Sequence, residues 1–276
     1  MRMLVRRSLG VTRVAAHLAR GAVTLAVVMP FAGPARRRRI VQRWSEGVLR
    51  IFGLALDVHG APPDAGRQRP VVLVGNHISW IDIYAYLCVA DVQFVAKSEV
   101  QSWPLIGWFA RSLGTIFVER DRPRDALRVG DEIRAALAAG KAVCVFPEGT
   151  TTDGSVVLPF SAALLGPAVE ANAHVLPVSI TYRNAAGEPC QRVAFTGDAT
   201  LVESIWTLAA GEKTRVQLRF LDAIEAGGLD RRTVARRSEE SVRASLGHPP
   251  PPIHRRRPGV SPRNETEVPL AIRGAL

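Results

Sequence analysis

Cysteine is scarce in this chain: Cys88, Cys144 and Cys190 are the only three in 276 residues, 56 and 46 residues apart, with no CxxC pair. That spacing excludes a disulfide framework, a zinc site built on paired thiolates and a dithiol redox motif, and it fits a reducing compartment. Lysine is as scarce. Three of the 36 basic residues are lysine and 33 are arginine, so the net charge of +11 rests on guanidinium groups that stay protonated at any biological pH. An acidic partner is expected. The N-terminal apolar stretch, residues 21–35, is fifteen residues long, short of the roughly 20 that a spanning helix needs. Ala32-Gly33-Pro34 with four arginines from Arg36 is a poor signal-peptidase site, so secretion is not expected. Asn264-Glu265-Thr266 has the form of a glycosylation acceptor but lacks the secretory route it needs.

What is present is a folding composition, 47% hydrophobic against 22% charged. Its charge is unevenly placed: residues 1–70 carry +10, residues 71–228 carry −4 and residues 229–276 carry +5. A core of mildly acidic character with basic ends, and no zinc-finger, KH or RNP spacing, argues against a nucleic-acid partner. Arg2, Arg6, Arg7, Arg13 and Arg20 precede the apolar stretch and Arg36 to Arg39 follow it. From residue 40 to residue 58, Ile40, Val41, Trp44, Val48, Leu49, Ile51, Phe52, Leu54 and Leu56 recur at roughly helical spacing, with Arg43, Glu46 and Arg50 on the other side. Two such helices flanked by arginine predict a hairpin in the interfacial region, arginine heads on an anionic membrane surface and apolar faces in the acyl zone. A helix pair packed on the core, and a single spanning helix that recruits residues 14–35, are the alternatives.

After a turn-rich break at residues 61–66 the chain alternates strand and helix patterns. Residues 70–75, 142–146 and 175–182 read as buried strands, residues 125–139 as a helix, and residues 192–196 and 215–220 as later strands. This predicts an α/β domain with a mixed, mostly parallel sheet flanked by helices and its chemistry at strand ends. The expected organisation is a basic, apolar helical segment over 1–60, an α/β domain over 61–246 and a flexible Pro/Arg-rich tail over 247–276.

Residues 74–82 are the most informative: Val-Gly-Asn-His-Ile-Ser-Trp-Ile-Asp. Ser79 and Asp82 have capping-box spacing, which predicts a helix starting at Ser79 with His77 on the preceding loop. On one continuous helix the two side chains would point about 140° apart, but a strand-to-helix corner lets the Asp82 carboxylate fold back on the ring, fix its tautomer and stabilise an imidazolium. No serine or cysteine sits in a GxSxG elbow, so if His77 is a base, the group it deprotonates is expected to belong to the substrate. A histidine that is merely capped and structurally satisfied is the alternative for this motif alone.

Three further segments accompany it. Gly114-Thr115-Ile116-Phe117-Val118-Glu119-Arg120 ends a short apolar strand in an arginine suited to a phosphate fork. Phe146-Pro147-Glu148-Gly149-Thr150 ends another strand with a carboxylate and a glycine that bares backbone N–H groups. Val175-Leu176-Pro177-Val178-Ser179 is a strand with an inserted proline, which implies an edge or a bulge.

In this order and at these separations the four segments resemble the sequence blocks of the glycerolipid acyltransferases, the family of bacterial 1-acylglycerol-3-phosphate acyltransferases. The resemblance covers about residues 70–220, including 94–99 and 104–107. It implies His77 as general base on the acceptor hydroxyl, Asp82 as its orienting partner, and Phe117, Arg120, Glu148, Gly149 and Thr150 around the acceptor, with Lys97 adding positive charge near the phosphate or the oxyanion. Acyl-CoA or acyl carrier protein would be the acyl donor, a lysophospholipid the acceptor, and no cofactor or metal is implied. The cytoplasmic face of the inner membrane is the implied location. Asn76 and Ser79 would shape the loop, Pro177 would be structural, and Trp103, Leu105, Ile106, Trp108 and Phe109 would line an acyl channel, touch the bilayer or pack in the core. One departure counts: many members that form phosphatidic acid have arginine directly after the third block's threonine, where this chain has Thr151. Sequences with threonine there resemble enzymes for other lysolipids, among them lyso-ornithine lipid. A non-catalytic membrane-lipid-binding protein is the alternative from another class.

Overall fold

The computed structural model describes residues 2–63, 69–119 and 125–249. Arg120 and residues 250–276 of the expected tail lie outside the described residues. The first helical stretch, α1 (Arg2–Val23), runs on through a π turn and a 3-10 turn to Phe31. Gly33 and Pro34 then reverse the chain into α2 (Pro34–Ile51), with proline at the helix start where its missing N–H costs nothing. A strand, β1 (Leu54–His59), follows directly.

The valine-rich runs make the centre of the sheet. β2 (Val71–Gly75) and β5 (Ala142–Val145) are buried along their whole length, the mark of parallel strands covered on both faces. With β3 (Val92–Lys97), β4 (Ile116–Val118), β6 (His174–Asn184), β7 (Thr214–Phe220) and β8 (Ile224–Glu225), they form one sheet in the order β1-β7-β6-β2-β5-β3-β4, with β8 beside β6. Among the strand pairings of the described residues, those of β6 with β7 and with β8 are antiparallel and the others parallel, so the sheet is mixed and mostly parallel. On one face α2, α3 (Asp82–Leu87) and α7 (Leu201–Leu208) bury Leu49, Phe52, Tyr86 and Leu208 against Leu73, Ile180 and Leu218. On the other, α5 (Asp125–Ala138), α6 (Gly166–Glu170) and α8 (Arg231–Leu246) bury Ile133, Leu137, Ala168 and Val242 against Val72, Val74 and Val143.

One mismatch of strand lengths positions the site. β2 stops where Gly75 pairs with Val178, while β6 continues to Asn184. Asn76 fills the next place: its Nδ2 donates to the Ile180 carbonyl at 3.0 Å and its Oδ1 accepts the Ile180 N–H at 2.9 Å. The side chain thus takes over the role of a ladder partner. Asn76→Ala would strand both backbone groups in a buried place, a cost of about 2–4 kcal/mol. A melting curve is expected to show a Tm lower by roughly 5–10 °C, and an unchanged Tm would refute this account.

Several expectations are corrected. The helical pattern read over residues 40–58 ends at Ile51, because Gly53 takes a left-handed turn (φ 74°) against the Gly211 carbonyl, and residues 54–59 form β1. Regular helix begins at Asp82 rather than Ser79. Residues 192–196 are not a strand: a 3-10 turn over Gln191–Val193 is followed by an extended segment whose Phe195 N–H meets the Ile78 carbonyl at 3.0 Å. Pro177 is not on an edge of the sheet but at a bulge, the other placement its sequence implied: residues 176–177 of β6 stand opposite residues 221–223 between β7 and β8. Its carbonyl accepts Leu221 N–H on the side where β6 exchanges β8 for β7, so its missing N–H falls in that gap.

The hairpin is present, and its first arm is longer than the fifteen-residue stretch because the helix continues back through Arg20 and His17. Met3–Phe31 is long and apolar enough to cross a membrane, by length and composition. One side of it is covered by protein: Gly10 abuts Ala209 after α7, and the His17 ring stacks on Trp44 of α2 at 5.0 Å. The rest exposes Leu4, Val5, Leu9, Val23, Val27 and Phe31.

Candidate active site

The corner between β2 and α3 folds the Asp82 carboxylate back over the loop. Its Oδ2 accepts the Ile78 N–H at 2.7 Å, the Ser79 N–H at 3.0 Å and His77 Nδ1 at 2.8 Å. Its Oδ1 accepts the Tyr182 hydroxyl at 2.5 Å. The Asp82 side chain is 0% exposed and His77 20%. Four donors on one buried carboxylate offset much of the cost of taking the charge out of water. An ionised carboxylate only accepts, so the ring proton sits on Nδ1 and the lone pair on Nε2. Among the described residues Nε2 makes no hydrogen bond to protein.

The segment after β5 clamps the same histidine from its other side. The Phe146 ring stacks on the imidazole, centroids 4.0 Å apart and 8° from parallel. Glu148 does not reach outward: its Oε1 accepts the His77 backbone N–H and its Oε2 the Leu158 N–H, each at 2.8 Å. Burial pushes the Glu148 carboxyl up to about 7, while those two N–H donors and the nearby imidazole pull it down. Thr152 N–H in turn donates to the His77 carbonyl at 2.9 Å. The Thr151 hydroxyl is spent on the Phe195 carbonyl, and Trp80 Nε1 donates to Ser204 Oγ at 2.9 Å, tying the loop to α7.

Hydrogen bonds therefore join His77, Asp82 and Glu148. Gly149 sits just beyond in a left-handed turn (φ 74°) with open space where a Cβ would stand, and Thr150 is exposed beside it. Lys97 and Phe117 are not bonded to this group. They lie at the same carboxyl edge of the parallel strands, where Lys97 pairs with Glu99 at 2.7 Å and Phe117 is in register with Ala96. Phe109 of α4 (Ile106–Ser112) packs on Trp44 at 5.3 Å and lines an apolar pocket with Leu25, Met29 and Val41 of the hairpin.

The sequence reading assigned no role to Tyr182, to the Phe146 ring or to the backbone of Leu158 and Thr152. Tyr182 carried a usable signal. It shares the inward face of β6 with Val178 and Ile180, so a hydroxyl there must find a buried acceptor.

Three comparisons bear on this arrangement. The family described as Acyltransferase matches residues 56–181. A lyso-ornithine lipid O-acyltransferase of Pseudomonas aeruginosa is 34% identical over 80% of this chain and 83% of its own length. A 1-acyl-sn-glycerol-3-phosphate acyltransferase of Neisseria meningitidis is 32% identical over 76% and 82%. In fold, the chain is similar to the crystal structure of the 1-acyl-sn-glycerophosphate acyltransferase PlsC from Thermotoga maritima, with TM-score 0.66 and 22% identity over 89% of this chain and 95% of that one.

Proposed function

The chain belongs to the acyltransferase family, and on that premise we propose that it moves a fatty acyl chain from the thioester of acyl-CoA or acyl carrier protein to the sn-2 hydroxyl of 1-acylglycerol 3-phosphate, giving phosphatidic acid. His77 Nε2 takes the hydroxyl proton as the oxygen attacks the thioester carbonyl. The tetrahedral adduct then collapses with cleavage of the C–S bond, and the imidazolium returns the proton to the departing thiolate. Asp82 holds the ring in the required tautomer and stabilises the imidazolium. Glu148 fixes the backbone on which the ring stands, with Gly149, Thr150, Phe117, Arg120 and Lys97 around the acceptor. The thioester is a co-substrate, and neither a cofactor nor a metal has a part in the scheme.

The single observation that carries this reading is the Nδ1–Asp82 bond at 2.8 Å, which leaves Nε2, on a ring that is partly exposed, as the one ring nitrogen without a protein partner among the described residues. Thioester donors are cytoplasmic, and the apolar, arginine-flanked hairpin supports placing the enzyme on the cytoplasmic face of the inner membrane.

Thr151 favours a second acceptor, lyso-ornithine lipid. Its hydroxyl is turned to the Phe195 carbonyl, and residue 151 itself brings no guanidinium to fork a phosphate. Relatives named for that activity occur in Pseudomonas aeruginosa and in Brucella abortus. Purified enzyme offered each acceptor with one acyl-CoA decides between them. Turnover of 1-acylglycerol 3-phosphate at least about tenfold above lyso-ornithine lipid sustains the first reading, the reverse ratio transfers the assignment to the second, and no product from either sinks both.

A further inference from the structure

We propose that Tyr182 is a positioning residue whose hydroxyl, through Asp82, sets the pH at which His77 is free to take a proton. The inference rests on the reading of His77 as the base. Its ground is a division of labour on one carboxylate. Oδ2 is held by the His77 ring and two backbone N–H groups, whereas Oδ1 has the Tyr182 hydroxyl at 2.5 Å and, among the described residues, no other donor. Tyr182 reaches that oxygen because β6 outruns β2, and its inward neighbours on the strand are the apolar Val178 and Ile180. A phenylalanine would fill the same space, so the hydroxyl is there for the carboxylate.

The sign of the effect follows from charge. A donor on Oδ1 draws negative charge away from Oδ2; without it the carboxylate attracts a proton on the neighbouring ring more strongly, and the imidazolium persists to higher pH. The three contacts on Oδ2 remain, so the geometry of the pair survives. Other titratable groups face the pair from each side: Tyr86 on α3, Cys144 on β5 and Glu148 after it. Burial raises Tyr86 and Cys144 well above their ordinary values and keeps them neutral, and it does the same for the Tyr182 donor. Glu148 ionises nearby, so the comparison is repeated in a Glu148→Gln background.

The test is the pH profile of kcat/KM, measured with acyl-CoA and the better of the two lysolipids on the full chain. Tyr182→Phe is expected to move the acid limb upward by about one pH unit, while kcat on the alkaline plateau stays within about threefold of the parent and both KM values hold. A fluorotyrosine placed at position 182, a stronger donor of nearly the same shape, is expected to move the limb the other way. An unmoved limb in both variants overturns the proposal, as does a loss at every pH that tracks the loss of folded protein. If Tyr182→Phe does not fold, the fluorotyrosine shift alone decides. Undiminished turnover by His77→Ala would instead remove the base reading itself, which is a different failure.

Discussion

His77→Ala is expected to lower kcat/KM by about a thousandfold or more, within the range that a positioned general base supplies, and to leave the fold almost untouched. The two effects separate because the side chain and the backbone of this residue have different partners. Glu148 and Thr152 bond its N–H and carbonyl, and neither contact involves the ring. Asp82 loses one of its four donors but keeps Ile78, Ser79 and Tyr182. The ring is one-fifth exposed and adds little to the core beyond its stack on Phe146. Steady-state turnover and a thermal melt on the same preparation check the prediction. Activity within tenfold of the parent, in a protein that melts normally, would remove His77 from the reaction.

The pair could be read from the chain because its geometry is local. His77 and Asp82 are five residues apart, and the strand pattern before them and the Ser79–Asp82 spacing together imply the corner that brings them into contact. Even the part of the capping box that forms is the part that matters: the acid reaches back to the Ser79 N–H, whereas the serine hydroxyl receives only the Ile81 N–H at 3.4 Å. Strands with uniform apolar runs, such as residues 71–75 and 142–145, were legible for the same reason: burial on both faces leaves a pattern in the letters themselves. What could not be read depends on register between distant segments. Tyr182 lies 100 residues from Asp82 and meets it only because β6 pairs with β2 in one particular alignment. Glu148 was expected near the acceptor, yet a carboxylate that bonds two backbone N–H groups looks the same in sequence as one that faces a ligand. The single glycine at position 53 marks the limit at the other end. It ends α2 and starts β1, although the apolar spacing through Leu54 and Leu56 fits a helix equally well.

Asp82→Asn is expected to lower kcat by about a hundredfold or more, with a much smaller loss of stability than Asp82→Ala. The amide can keep the present arrangement if its oxygen takes the place of Oδ2 and its NH2 turns to the Tyr182 oxygen, since a phenol can accept as well as donate. The Ile78 and Ser79 N–H groups and His77 Nδ1 then retain an acceptor, and the loop keeps its shape. What disappears is the negative charge. The imidazolium that forms while the acceptor oxygen attacks loses its counter-ion inside a buried pocket, where a missing charge is felt more strongly than at the surface. Alanine removes the acceptor altogether and leaves two backbone N–H groups and a buried phenol without a partner, a cost of several kcal/mol. Melting curves of the two variants should therefore differ while their turnover is similarly low. Equal stability would mean that water satisfies the stranded donors, and near-parent turnover by Asp82→Asn would show that the carboxylate only shapes the loop and takes no electrostatic part in the transfer.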